Sequence, residues 1–320
     1  MNNTFISICI PTYKRVHLLN KLLASIKIQT FRDFEILIND NSEDDSVELL
    51  VNSYSAELPI SYVRNRPAVS AGNNCIKVMR RAGGEWIKVM HDDDWFDTAD
   101  ALQGFADAAM NSGKDFIFCA SNQVWLDSGK KEQDLLSAEK KQMLNDSLFC
   151  LFYLNIIGHP SVVMHRRDHS IEYDANFNWV QDVDFYLRYM NSHPGYEYLP
   201  QPLVNIGKSS SQESNKYYKN SKVELPEYFY LLAKYDQDLC LKNIYVFHLI
   251  WNMLKRYRIK HFDQIYASGY SGPMPLRIEK IIAFQKYIPR LIIKQTPWSK
   301  KLMKICYNKV AKDYLQSTVK

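Results

Sequence analysis

Several absences narrow what this chain can be. Its six cysteines (Cys9, Cys75, Cys119, Cys150, Cys240 and Cys306) are scattered without a C-x-x-C pair. That argues against a zinc site and a disulfide scaffold, and predicts reduced, buried thiols in a cytosolic protein. No basic segment followed by an apolar stretch opens the chain: Phe5–Ile10 is short and Pro11 ends it. No run approaches the roughly eighteen apolar residues of a membrane span. The longest, Leu148–Ile157, is expected as a core helix. Neither G-x-G-x-x-G nor G-x-x-x-x-G-K-[ST] occurs, so a dinucleotide fingerprint and a P-loop are both missing. There is no internal repeat. Acidic residues nearly vanish from one region: residues 241–320 hold sixteen Lys/Arg against Asp263, Glu279 and Asp313. The net charge of +5 therefore divides into −8 before residue 241 and +13 after it, a split that predicts an anionic partner for the tail alone.

What is present is an ordinary globular composition, with 46% apolar and 23% charged residues over 320 positions. Strand and helix patterns alternate through the first hundred. Phe5–Ile10, Phe34–Ile38, Ile60–Val63 and Trp86–Met90 read as strands. Between them, Leu18, Leu19, Leu22, Leu23 and Ile26 recur at helical spacing, Asp44–Tyr54 reads as a helix with Ser42 as N-cap, and Ser70–Arg81 as a helix stopped by Gly83-Gly84. This rhythm predicts an α/β fold, a mostly parallel sheet with helices on both faces. Further strands are expected at Phe116–Val124, Val162–Met164 and Leu203–Ile206, a loop plus helix over 127–146, and a helix over Trp179–Tyr189. Gly207–Gln212 carries no fold signal. After about residue 220 the pattern turns helical (Tyr217–Tyr235, Leu239–Tyr257, Ile278–Tyr314), interrupted by Ser271–Pro275, Pro289 and Pro297. The expected domains are residues 1–215 and a basic helical extension, 216–320.

His91-Asp92-Asp93-Asp94 follows the fourth strand. Adjacent carboxylates repel, and nothing structural needs three of them there. A hard divalent cation does: Mg²⁺ or Mn²⁺ takes carboxylate oxygens and leaves positions open for phosphate. The alternative is an acidic turn capping the next helix through Asp94 or Asp97. In parallel sheets ligands bind beyond the carboxyl ends of the strands. Those ends read Pro11-Thr12-Tyr13-Lys14-Arg15, Asn39-Asp40-Asn41-Ser42, Arg64-Asn65-Arg66 and His91-Asp92-Asp93-Asp94. Polar residues at four successive ends point to a metal-held nucleotide diphosphate.

Taken in order, these motifs resemble the family 2 inverting glycosyltransferases of the GT-A (Rossmann-like) fold, over residues 4–215. Ser7–Arg15 is similar to that family's opening strand and nucleotide loop, Glu35–Asp44 to its second strand (normally ending D-D-G-S), and Gly84–Ile87 to the segment before its D-x-D. The resemblance implies that Asp40 accepts the base N3–H, a donor that uracil and thymine offer and cytosine lacks. Pro11 belongs to the nucleotide loop, and Thr12, Tyr13 and Arg15 flank base and ribose. Arg66 is a second base or phosphate contact, an exposed loop charge being the alternative for it and for Arg64. Asp93 becomes the principal metal ligand, with Asp92 or His91 at the ribose or a metal-bound water, or His91 itself on the metal. Inversion needs a base for the acceptor's proton. Asp182 holds that place, with helix capping as an alternative or concurrent role. Asp184 is the runner-up, its other job being an i, i+4 pair with Arg188. His159 lines the acceptor pocket or is structural, and Lys208 pairs with phosphate or is solvated. The chain departs from the family at His91 for the first aspartate, Gln181 for the usual Glu, and Ala71-Gly72-Asn73-Asn74 for A-R-N, where Asn73 or Lys77 would substitute.

In the tail, Trp251, Tyr257 and Trp298 interleave with Lys255, Arg256, Arg258, Arg290, Lys294, Lys300 and Lys301. That suits helices lying on an anionic membrane face; a solvated basic face or a homo-oligomer interface is the alternative. No nucleic-acid motif accompanies the charge, so nucleic acid is not expected as a partner. The expectation is thus an inverting, Mn²⁺- or Mg²⁺-dependent enzyme, peripheral at the cytoplasmic face of the cell membrane. It would move a sugar from a UDP- or dTDP-sugar to a glycan acceptor, lipid-linked, in surface polysaccharide or O-antigen synthesis. The alternatives are a nucleotidyltransferase and a non-catalytic membrane- or partner-binding protein.

Overall fold

A computed structural model describes residues 4–209, 212 and 214–312. Ser210, Ser211 and the expected helix end at Tyr314 lie outside these residues. The order is β1 (Ile6–Thr12), α1 (Val16–Lys27), β2 (Phe34–Asp40), α2 (Ser46–Tyr54), β3 (Ile60–Arg64), α3 (Ala71–Arg80), β4 (Trp86–Val89), β5 (Asp94–Phe96), α4 (Ala101–Asn111), β6 (Phe116–Trp125), β7 (Lys131–Asp134), α5 (Ala138–Asp146), α6 (Cys150–Tyr153), a 3₁₀ turn (Pro160–Val162), β8 (Val163–Arg166), α7 (Gln181–Ser192) and β9 (Glu197–Lys208). Helices follow: α8 (Ser214–Tyr217), α9 (Ser221–Ala233), α10 (Gln237–Cys240), α11 (Ile244–Tyr257), α12 (Asp263–Tyr266), α13 (Leu276–Lys286), α14 (Arg290–Lys294) and α15 (Thr296–Lys312).

The chain divides into two compact units. The first comprises residues up to 141, 157–177 and 184–212; the second 142–156, 178–183 and the residues from 213 onward. The second therefore takes in the first turn of α7 as well as the C-terminal helices.

The first unit is built on one sheet, ordered β3-β2-β1-β4-β8-β6-β9-β5, with β7 on β6. The first four sequential strands are parallel, as the alternating pattern predicts, and β6 pairs parallel with β9. The β4–β8, β5–β9, β6–β7 and β6–β8 pairs are antiparallel. Ile6, Ile8 and Ile10 alternate with Ser7 and Cys9 along β1, and all five are fully buried. Burial of both sets means that the strand is covered on both faces. Leu19, Leu22, Leu23 and Ile26 of α1 are likewise fully buried, as their spacing requires. Register sets the site: Thr12 lies opposite Asp40, and Asp40 opposite Arg64. Val89 lies opposite Cys9, so the chain leaving β4 comes up beside Thr12.

Several local expectations change. Ser42 is no N-cap; its hydroxyl accepts the Lys14 N–H at 2.9 Å, and α2 begins behind Asp45. Asp94 opens a strand and Asp97 pairs with Lys131, while α4 starts at Ala101, so neither caps a helix. Leu148–Ile157 forms only the short α6, because its apolar residues answer to tertiary packing and Leu154 is extended. The strand β7 is Lys-Glu-Gln-Asp, exposed at every position and without an alternating pattern to betray it. The final strand runs twelve residues, where four were expected. Pro200 and Pro202 hid it, and register shifts in the facing stretch of β6 accommodate them. All six cysteines are buried and free. No helix among the described residues is long and apolar enough to cross a membrane.

Candidate active site

The site is assembled at the carboxyl ends of β1, β2, β3 and β4, from the first unit. After Thr12 the chain turns sharply, with Lys14 in the left-handed region (φ 60°). The turn wraps Asp92, which is wholly buried. One carboxylate oxygen of Asp92 accepts the Thr12 hydroxyl at 2.7 Å and the Tyr13 N–H at 3.3 Å. The other lies 2.7 Å from Arg15 Nη2, an ion pair without hydrogen-bond alignment. Arg15 Nη1 reaches Asp93 at 2.6 Å, so one guanidinium bridges two of the three aspartates. Burial pushes the Asp92 carboxyl up to about 6, against the pull of Arg15. Pro11 sits within β1 opposite Asn39, and Tyr13 is exposed.

Asp40 is also wholly buried. It accepts the Ser42 N–H and the Tyr62 hydroxyl, each at 2.8 Å. Arg64 Nε donates to that hydroxyl at 3.1 Å, and its Nη atoms pair with Asp45 and Glu48 at 2.7 Å. Arg64 is thus a structural brace behind Tyr62, and Arg66 is exposed beyond it. Tyr62 escaped notice in the sequence because a tyrosine in a short strand has no motif. Its place two residues before Arg64, which lies opposite Asp40, was the available signal. Of the two substitutes considered for the missing arginine, Asn73 bonds Ser70 at 3.0 Å and Lys77 bonds Asn65 at 3.3 Å. Asn74 is structural: buried, it ties the Thr12 and Asn39 carbonyls together.

His91, Asp93 and Asp94 each offer a ligand atom, all within 4.8 Å of one another. Asp94 joins this group in place of Asp92, which faces the β1 turn. Its carboxylate accepts the Gly207 N–H at 3.0 Å, and burial, followed by the Asp93 charge, raises its pKa. The two carboxylates suit Mn²⁺ or Mg²⁺, and the imidazole favours Mn²⁺ of the two. Lys208, at the end of β9, donates to His159 Nε2 at 3.0 Å. Burial first, then Lys208 and His91, push His159 down to about 3, so its ring is neutral and acts as acceptor. Beneath them lies Lys88, a wholly buried lysine that no motif signalled. It donates to the Ser161 carbonyl and stands 4.7 Å from the Phe105 ring centroid; burial lowers it to about 8. The Ser161 hydroxyl in turn accepts the His91 N–H at 2.9 Å.

Asp182 belongs to the second unit. It is the second residue of α7, with one oxygen accepting the Val183 N–H and the other Asn155 Nδ2, both at 2.8 Å. Burial raises its carboxyl to about 6. Asp184 is fully buried and paired with Arg188 at 2.7 Å, the structural role foreseen for it.

Known proteins resemble this chain in sequence and in fold. The chain is 27% identical over 277 residues, 79% of its own length and 80% of the relative's, to abequosyltransferase RfbV of Salmonella typhimurium. It is 34% identical over 91 residues, 28% of its length and 29% of the relative's, to the GalNAc(5)-diNAcBac-PP-undecaprenol beta-1,3-glucosyltransferase of Campylobacter jejuni. The fold matches that of S. aureus TarS 1–349 in complex with UDP-GlcNAc (TM-score 0.60, 17% identity, 98% of this chain and 92% of that one). It also matches the mannosyltransferase PcManGT of Pyrobaculum calidifontis in complex with GDP-Man and Mn²⁺ (TM-score 0.56, 12% identity, 100% and 89%). The family model for glycosyl transferase family 2 covers residues 7–172, more than half of the chain, which therefore belongs to that family and is a glycosyltransferase of the GT-A fold.

Proposed function

We propose that this glycosyltransferase inverts the anomeric centre of a UDP- or dTDP-sugar and passes the sugar to a lipid-linked glycan during surface polysaccharide synthesis. The His91–Asp93–Asp94 group, on the rim that carries Thr12 and Asp40, is the observation that carries this reading. Relatives named for abequose transfer and for a PP-undecaprenol glycan support the pathway and the lipid, and the TarS and PcManGT complexes support a nucleotide-sugar donor. A nucleotidyltransferase or a non-catalytic module has no such support.

His91, Asp93 and Asp94 would hold a divalent cation, which when bound offsets the diphosphate's charge. Asp40 accepts the base N3–H through lone pairs that Tyr62 and Ser42 leave open. Pro11 and Thr12 shape the nucleotide loop, and Tyr13 lies against base or ribose. Asp92 fixes that loop, and Arg66 adds a base or phosphate contact. Arg15 flanks base and ribose from the same loop, and Lys208 supplies positive charge for phosphate oxygens. Asp182 takes the proton of the acceptor hydroxyl as its oxygen bonds the anomeric carbon. The bond from that carbon to the diphosphate oxygen breaks, and its electron pair leaves with the diphosphate.

The C-terminal helices would hold the enzyme on the cytoplasmic face of an anionic membrane. Residues 280–312 contain nine Lys/Arg and no acid, and Tyr287 and Leu291 stand 82% and 81% exposed among them, near the exposed Trp298.

Thermal melting of the purified chain with UDP, dTDP or CDP, with and without Mn²⁺, tests the donor site. UDP or dTDP at a hundredfold excess over Kd should add about 2.7 kcal/mol, needing Mn²⁺ for full effect and exceeding CDP. No shift with any nucleotide diphosphate and Mn²⁺ refutes the proposal.

A further inference from the structure

The helix α9 carries two buried glutamates one turn apart, Glu224 and Glu227. Glu224 has cationic and hydroxyl partners on α11: Arg256 at 2.8 Å and Tyr257 at 2.5 Å. It also accepts the Lys219 N–H at 2.8 Å. Glu227 is held differently. One carboxylate oxygen accepts the Asn178 N–H at 2.9 Å and Asn178 Nδ2 at 3.3 Å. The other accepts the Trp179 N–H at 2.7 Å and the Val180 N–H at 3.2 Å. Three successive backbone amides thus converge on one side chain almost fifty residues away.

Those three residues lead directly into α7, whose second residue is Asp182. Amides at the start of a helix lack intrahelical acceptors, and a capping side chain from the preceding residue is the usual remedy. Here the acceptor comes from another helix. A carboxylate receiving several backbone N–H groups makes strong, charge-assisted bonds, and the positive end of α7 favours its charge. The second unit includes residues 178–183 and α9 alike, so this anchor is internal to it.

We propose that Glu227 is a positioning residue: from the C-terminal helices it fixes the 178–180 turn and thereby aims Asp182. The inference rests on Asp182 being the base. It gives the C-terminal region a part in the chemistry beyond any attachment role. Glu227 does not touch the reacting atoms; it acts through backbone geometry. Burial first, then the Glu224 and Asp182 charges, raise the phenol of Tyr228, the next residue on α9.

The test uses Glu227→Ala, Glu227→Gln and Asp182→Asn in the full chain. The readouts are Mn²⁺-dependent UDP release from a UDP-sugar panel, UDP affinity, and amide hydrogen exchange over residues 178–183. Glu227→Ala should lower kcat about 100-fold with UDP affinity within twofold of wild type, and speed exchange in that segment. Glu227→Gln, which keeps one acceptor oxygen, should fall between; it decides the matter if the alanine variant does not fold. In both, the acid limb of the kcat profile should move below 6, because a loosened turn admits water to Asp182. Wild-type kcat and exchange in both Glu227 variants, with Asp182→Asn inactive, would overturn the anchor and leave the base standing. A fully active Asp182→Asn would remove the base assignment, and the anchor's catalytic part with it.

Discussion

Replacing Asp182 with asparagine isolates the proton-transfer role, because shape and most contacts survive. The amide side chain retains a carbonyl oxygen for the Val183 N–H and forfeits at most the 2.8 Å bond from Asn155. One such bond is worth about 1 kcal/mol, so the variant should fold and bind nucleotide normally. What disappears is the basic oxygen. Positioned general bases contribute about 10²- to 10⁴-fold, and kcat should fall by that factor with UDP affinity unchanged. The structure adds a pH signature. Burial holds the Asp182 carboxyl at about 6, and a base must be ionised to act. Activity should therefore rise with pH: roughly a tenth of the groups are ionised at pH 5 and about nine tenths at pH 7. Donor hydrolysis, with water replacing the acceptor alcohol, can be followed as UDP release from UDP-sugars with Mn²⁺ between pH 4.5 and 8. Wild-type kcat in the variant, or a wild-type rate that is flat from pH 5 to 7, would refute the assignment.

Asp93→Ala should weaken Mn²⁺ binding, measured by electron paramagnetic resonance of the free ion, at least tenfold, and His91→Ala less. An unchanged affinity in the Asp93 variant would move the cation elsewhere. In the C-terminal region, a combined Lys286→Glu, Arg290→Glu, Lys294→Glu variant should lose co-sedimentation with vesicles containing phosphatidylglycerol, since each basic residue near such a surface contributes about 1 kcal/mol. Full retention of vesicle binding would reject membrane attachment through these helices.

The sheet was legible where both faces are buried. Uninterrupted apolar runs such as Ile8–Ile10 and Ile36–Ile38, separated by helical spacing, leave little freedom of interpretation. Their polar ends come together as the candidate site, because parallel register aligns them. Legibility failed where tertiary contacts replace local pattern. Within the run of three, Asp92 was expected at the ribose or a metal-bound water and Asp94 as a helix cap, and only the backbone turn after β4 decides which faces His91 and which lies under Thr12. Tyr62, Lys88 and Glu227 are single residues whose partners lie 22, 73 and about 48 positions away, respectively. No sequence window holds both members of such a pair.

Gly207 shows how a position without chemistry can govern one with it. A Cβ there would collide with the Asp93 carbonyl, while its own N–H holds Asp94. Even alanine would have to pry the last rungs of β9 away from the acidic bend, spoiling its spacing with every carboxylate intact. Random mutagenesis should accordingly return dead enzymes at this featureless residue, and attempts to retune donor choice through the neighbouring Lys208 must leave it alone.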